Sequence, residues 1–165
     1  MRYNKIRKMD IADGPGVRVS IFMQGCAFNC KNCFNPETHD FTKGEEFTDE
    51  TIDKVLNLCG QEHIAGLSIL GGEPMHPNNI EGTTKLAKEF KKRYPGKTIW
   101  AWTGFDFEKN LKDKEVMQYI DVLVDGQYDD AKRNPSIHWR GSENQRVIDV
   151  HESLAKKQLI TYAEA

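Results

Sequence analysis

The sequence predicts an α/β protein built on a parallel sheet. Two observations carry that expectation. Short, β-rich apolar runs alternate with segments of helical periodicity, and four of those runs lead straight into loops of unusual composition. Strand–helix alternation with right-handed crossovers gives a parallel sheet covered by helices. At 165 residues the chain is expected to form one domain, 1–165, with a core at about 10–150 and a short C-terminal extension. It is too short for a full eight-unit barrel.

The elements follow in order. Val17–Met23 is apolar and β-rich and ends at Gln24-Gly25, so it reads as the first strand. Thr48 is placed to cap a helix, with Phe47 and Ile52 at staple positions. Ile52, Val55, Leu56 and Cys59 form its apolar stripe and Gly60 its stop. Gly66–Leu70 is a short buried strand running into Gly71-Gly72-Glu73-Pro74. A second helix starts near Asn78 or Asn79, presents Ile80, Thr84, Ala87 and the Lys91 stem, and ends before Pro95-Gly96. Thr98–Trp102 is the third strand, ending at Thr103-Gly104, and Asp106 caps a weaker helix through Tyr119. Val122–Val124 is the fourth strand, ending at Asp125-Gly126. Gln127–Gln145 reads as a long functional loop, Arg146–Val150 as a last strand before a short helical turn and a tail.

Ligands of parallel α/β sheets gather at the carboxyl ends of the strands. Here those ends carry the cysteines, Gly-Gly-Glu-Pro, Trp-Thr-Gly and Asp-Gly, so all four unusual segments are expected on one rim. Thr103 and Asp125 fall where cofactor-facing groups belong, although a turn hydroxyl and a turn carboxylate are equally ordinary there.

Charge and composition exclude several classes. Lys and Arg number 23 against 25 Asp and Glu, a formal charge of −2, which favours neither nucleic acid nor an anionic membrane surface. No apolar run approaches the roughly 20 residues of a membrane span. Met1–Asp10 is charged and lacks the apolar stretch of a signal peptide, so a cytoplasmic protein is expected. In a reducing compartment four cysteines point to metal binding or catalysis ahead of disulfides.

Three of them, Cys26, Cys30 and Cys33, are spaced Cys-x3-Cys-x2-Cys. Thiolates are soft ligands suited to iron–sulfur clusters or zinc. A cubane normally takes four, so three close cysteines would leave one iron without a protein ligand and open to substrate. The competing reading is structural zinc with His39 or another His as fourth ligand, though such sites usually arrive as two separated ligand pairs. Cys59, on the helix stripe, reads as a small buried hydrophobe. The remaining histidines, His63, His76, His138 and His151, are scattered without paired spacing.

The cysteine run, continued by Phe34 and Asn35, resembles the signature of radical S-adenosylmethionine enzymes. Asp10–Cys26, Leu70–Asn79, Ile99–Phe105, Asp121–Tyr128 and Trp139–Val147 together resemble the family of activating proteins of anaerobic ribonucleoside-triphosphate reductases, in order and over nearly the whole chain. The resemblance implies an open, partial parallel β/α barrel of the radical S-adenosylmethionine type. It implies one [4Fe–4S] cluster on Cys26, Cys30 and Cys33, and S-adenosylmethionine as cofactor, bound by Gly71, Gly72, Glu73, Thr103 and Asp125. It implies no catalytic side chain beyond cluster and cofactor. The protein substrate would be the reductase, on which a glycyl radical is made, and the electron donor flavodoxin or ferredoxin. A homodimer, or a complex with a dimeric reductase, is the implied assembly. Asp13-Gly14-Pro15-Gly16 matches the family's glycine-rich loop, near the glycine substrate or the partner, or else a plain tight turn. Gln127 stands where many relatives have Lys, which puts a cofactor contact there in doubt. Trp139–Arg146 is either a reductase contact or a loop packed over the open side of the sheet.

Overall fold

The computed structural model describes residues 1–163. Seven strands form one mixed sheet in the order β3-β1-β2-β4-β5-β6-β7; β3 and β7 are not paired with each other, so the sheet does not close, and the outer side of β7 is bridged at Ile148 by Thr161. The strands are β1 Arg2–Asp10, β2 Val17–Gln24, β3 Glu45–Glu46, β4 Ile64–Gly71, β5 Thr98–Trp102, β6 Val122–Asp125 and β7 Arg146–Asp149. The helices are α1 Asp49–Cys59, α2 Ile80–Arg93 and α3 Val150–Lys156.

The four expected strands, β2, β4, β5 and β6, are adjacent and parallel. The all-parallel expectation is corrected at both flanks, where β1 and β3 on one side and β7 on the other run antiparallel. β1 carries no apolar run. Arg7, Lys8 and Met9 are exposed, and the cations of Lys5 and Arg7 lie 4.7 and 5.0 Å from the centroid of Phe22 in β2. Long charged side chains lay apolar stems and cations over a neighbouring ring, so a sequence of this kind forms a strand without alternating hydrophobicity.

Alternate residues of each strand face opposite sides of the sheet. Val19, Ile21, Leu67, Ile69, Ile99, Ala101 and Leu123 pack against Val55, Leu56 and Cys59 of α1 and Leu86, Ala87 and Phe90 of α2 in the main core. The opposite face carries Arg18, Ser20, Ser68, Trp100, Val122 and Val124. It is covered by the segment between β6 and β7, through Trp139.

Local signals behave as their chemistry dictates at α1, where the Thr48 hydroxyl accepts from Thr51 N–H and Thr51 Oγ1 accepts from Thr48 N–H. The helix expected from Asp106 to Tyr119 does not form. Asp106 caps only one π turn, Phe107–Leu111, accepting from Lys109 N–H at 2.9 Å, and a 3₁₀ turn at Glu115–Gln118 follows. Phe107, Leu111, Val116, Met117 and Ile120 are all buried, and two short turns deliver them to the core.

Arg18 is 0% exposed on the second face and spends five donor contacts on neutral oxygens. Nε donates to Ser68 Oγ (2.8 Å), Nη1 to Pro15 O and Thr98 Oγ1, and Nη2 to Leu67 O and Thr98 O. Burial draws its pKa down to about 10.

Candidate active site

The β2/β4 register sets Met23 level with Gly71, so the loops leaving the two strands start side by side. Gly25 N–H donates to Thr38 O at 2.6 Å and Cys26 N–H to His39 O at 3.1 Å, closing the cysteine loop on itself. Gln24 Nε2 ties the loop's far limb through Glu37 O and Asp40 O. Asn29 and Asn32 take φ of 51° and 54°, a left-handed geometry that asparagine tolerates well. Cys26, Cys30 and Cys33 are half-buried and line one cavity of about 520 Å³. Among the described residues no group of three or more His, Cys, Asp or Glu is arranged to hold a single metal ion. Burial pushes the Cys26 and Cys33 thiols up, the opposite of a cysteine preset as a nucleophile. Cys59 is fully buried with its thiol raised to about 12, as suits a packing residue.

Gly71, Gly72 and Glu73 wall the same cavity. The glycines are dictated by close approach to the chain itself. Gly71 has φ +111°, and a Cβ there would sit 2.5 Å from Met23 N. At Gly72 it would meet Gly25 O at 2.5 Å and Thr38 O at 2.7 Å. Gly72 N–H and Glu73 N–H donate to Met23 O and Gly25 O, stitching this loop to the cysteine loop. Glu73 is 1% exposed. Its Oε2 accepts from Met75 N–H (2.9 Å) and the Thr103 hydroxyl (2.7 Å), and its Oε1 from Gly104 N–H (2.6 Å). Burial nevertheless raises the carboxyl to about 7. Glu73 therefore clamps the tips of β4 and β5 together, and Thr103, also on the cavity wall, completes the clamp.

Asp125 is placed differently. It is 1% exposed and does not border the cavity. Its Oδ2 accepts from Phe107 N–H at 2.8 Å, and Arg146 donates Nε and Nη2 to its two oxygens at 3.0 and 2.6 Å. This carboxylate is bonded within its own chain, to Phe107 and Arg146. A bidentate Arg–carboxylate pair is the strong form of such contacts.

The late segment covers the second face, as the packing alternative required. Trp139 O accepts from Trp102 Nε1 at 2.6 Å, and the Trp139 ring meets Trp100 edge-on at 5.4 Å. Gln145 Oε1 accepts from Gly141 and Ser142 N–H, while its Nε2 donates to Gly126 O. Gln127 lines the cavity. The glycine-rich loop is a turn organised by Asp10, whose Oδ1 accepts from Ala12 and Asp13 N–H. It also brings Asp13 to the cavity, with burial and then Asp10 pushing its carboxyl up to about 7. Sequence reasoning missed Arg7, Phe22, Phe28 and Leu70 as cavity walls. The period-2 register of β2 and β4 was the available signal for Phe22 and Leu70.

A single loop of three soft ligands on the rim of an open α/β sheet suits an iron–sulfur cluster. A family model described as a 4Fe-4S single cluster domain matches residues 12–148, and with the three cysteines it supports an iron–sulfur cluster here. The anaerobic ribonucleoside-triphosphate reductase-activating protein of Enterobacteria phage T4 is 38% identical over 147 residues, 89% of this chain and 93% of the relative. Those of Vibrio cholerae serotype O1 and Escherichia coli K12 are 38% and 37% identical over 150 residues, 89% of this chain and 97% of each relative. The chain belongs to the family of anaerobic ribonucleoside-triphosphate reductase-activating proteins. No helix among the described residues is long and apolar enough to cross a membrane.

Proposed function

We propose that this protein is a radical S-adenosylmethionine enzyme that activates an anaerobic ribonucleoside-triphosphate reductase by generating a glycyl radical on it. The observation that carries this reading is one cavity bordered by Cys26, Cys30, Cys33 and the Gly71-Gly72-Glu73 loop, in a chain of the activating-protein family. When bound, the cluster supplies one electron to S-adenosylmethionine, whose S–C5′ bond breaks to methionine and a 5′-deoxyadenosyl radical able to take a hydrogen atom from a glycine Cα.

The chain's own residues hold and shield. Cys26, Cys30 and Cys33 ligate the cluster as thiolates. Gly71, Gly72, Glu73 and Thr103 form the cofactor wall, with Glu73 acting as the clamp that fixes its backbone. Asp125 contributes indirectly, by holding Arg146 and the β6–β7 segment. Phe28, Phe34 and Trp102 give the cavity apolar walls. Its volume of about 520 Å³ suits a nucleoside carrying an amino acid. The sheet would then be the partial barrel of the radical S-adenosylmethionine class, acting as one cytoplasmic domain with flavodoxin or ferredoxin as donor.

Anaerobic reconstitution tests the reading. The protein should take one four-iron cluster and, with dithionite and S-adenosylmethionine, release 5′-deoxyadenosine. With the reductase added, a glycyl EPR doublet should appear. A colourless protein that takes up zinc, or a reduced cluster that leaves S-adenosylmethionine intact, refutes it.

A further inference from the structure

Asn79 stands at the N-cap of α2, where an asparagine side chain ordinarily accepts from a backbone N–H of the first helical turn. Here it makes no capping bond, so those first amides forgo their usual side-chain acceptor. Asn79 is 1% exposed, and its Nδ2 donates to two carbonyls outside the helix, Glu73 O at 3.0 Å and Gln24 O at 3.2 Å. Gln24 leads directly into the cysteine loop, and Glu73 belongs to the Gly71-Gly72-Glu73 wall. Among the described residues Asn79 is the one side chain hydrogen-bonded to both stretches.

The helix continues the arrangement. Thr83, one turn on and on the same face, is fully buried, and its hydroxyl donates to Pro74 O at 2.9 Å. On a helix that otherwise buries Leu86, Ala87 and Phe90, two polar side chains thus serve consecutive carbonyls of the Gly-Gly-Glu-Pro loop. Glu73 is held through its N–H by Gly25 O, through its carboxylate by Thr103 and Gly104, and through its carbonyl by Asn79. The first of these ties is backbone to backbone and the second runs to β5. The third fastens Glu73 and Gln24 together to the end of α2.

We propose that Asn79 is a positioning residue: by bonding Gln24 O and Glu73 O at once, it sets the gap between the loop carrying Cys26, Cys30 and Cys33 and the wall formed by Gly71, Gly72 and Glu73. This rests on the reading that the loop holds the cluster and the wall S-adenosylmethionine. A change in the gap then reaches binding and cleavage of the cofactor together, because reaction depends on the two meeting at one spacing.

Asn79→Ser separates positioning from capping. Serine is as good an N-cap as asparagine, but its short hydroxyl carries one hydrogen and cannot serve both carbonyls. Asn79→Ala removes both functions. Each protein is reconstituted anaerobically. Iron per chain, Tm, calorimetric affinity for S-adenosylmethionine without reductant, and the rate of 5′-deoxyadenosine release with dithionite at saturating S-adenosylmethionine are then measured. The serine variant should keep wild-type iron and a Tm within about 3 °C of wild type. It should nevertheless bind S-adenosylmethionine about 10-fold more weakly, as for two lost hydrogen bonds, and release 5′-deoxyadenosine about 10-fold more slowly at saturation. The alanine variant should match it in both and fall further in Tm. A serine variant that binds and cleaves like wild type makes Asn79 a cap and overturns the proposal. So does one whose saturated rate is intact, or whose affinity falls only in step with lost iron and Tm. Each of these leaves the cofactor reading standing, whereas wild-type protein that binds no S-adenosylmethionine would overturn both.

Discussion

Gly72→Ala isolates how tightly the Gly-Gly-Glu loop is pressed onto the cysteine loop. Gly72 has no positive φ, so the substitution carries no backbone-conformation penalty and its effect is steric alone. The added methyl would sit 2.5 Å from Gly25 O and 2.7 Å from Thr38 O, closer than real Cβ atoms come to anything. Both oxygens are backbone, and Gly25 O already accepts from Glu73 N–H at 2.8 Å, so neither can swing aside like a flexible side chain. The backbones must separate by about 0.5 Å or more, an overpacking of the kind that costs about 1–3 kcal/mol. For a chain of this length that corresponds to a fall in Tm of about 3–10 °C. The same separation moves Gly25 away from the clamp at Glu73, so iron retained after anaerobic gel filtration should fall with it. The assay is thermal unfolding by circular dichroism on apo-protein, paired with iron per chain on reconstituted protein. A Tm within a degree of wild type, with a full complement of iron, would refute the argument.

Arg146→Met strands the buried Asp125 carboxylate and should lower stability in urea by about 3–5 kcal/mol, whereas Asp125→Asn, which removes the buried charge as well, should cost less. The reverse order would contradict the pairing. Asp13 has a folded pKa of about 7 against an ordinary 3.8, so the folded state holds its proton more tightly. Stability from this group is therefore full below about pH 4 and is lost as pH rises towards 7, and Asp13→Asn should flatten that decline in a plot of Tm against pH. A decline of equal depth in the variant would locate it elsewhere. Cys59→Ala should keep its iron at a cost of about 1 kcal/mol, while Ala at Cys26, Cys30 or Cys33 should lose iron with far-UV dichroism unchanged; iron loss in Cys59→Ala would mean that it is a ligand.

What the sequence made legible follows its physics. β2, β4, β5 and β6 announce themselves because their helix-facing residues are apolar and their carboxyl ends carry glycine or cysteine. α1 declares itself through Thr48, its stripe and Gly60. β1 escaped because Lys5 and Arg7 reach the sheet by laying cations over Phe22, which no alternation pattern registers. The expected helix after Asp106 failed because an apolar spacing with a cap does not distinguish one continuous helix from two short turns. At the site, the rim argument collected the cysteines, Gly71, Gly72, Glu73 and Thr103 at one cavity. The pairing of Asp125 with Arg146, 21 residues away, was not legible, because a strand-end carboxylate is read the same way whether it meets solvent or an arginine.

Arg18 has a consequence for how the molecule is assembled. Its guanidinium draws on Pro15, Leu67, Ser68 and Thr98, sites spanning up to 80 positions along the chain. A nascent chain that has paired β2 with β4 but not yet β5 must keep this cation in water, because two of its five acceptor contacts come from Thr98. Burying it early would leave strong donors unmatched. The first three parallel strands are thereby coupled into one cooperative step, and a fragment ending between α1 and β5 has no native resting state. The loop that brings Asp13 to the cavity is tied to the same network, with Pro15 O accepting from Arg18 and Asp13 O from the Ser68 hydroxyl, so its shape is settled only when the sheet is.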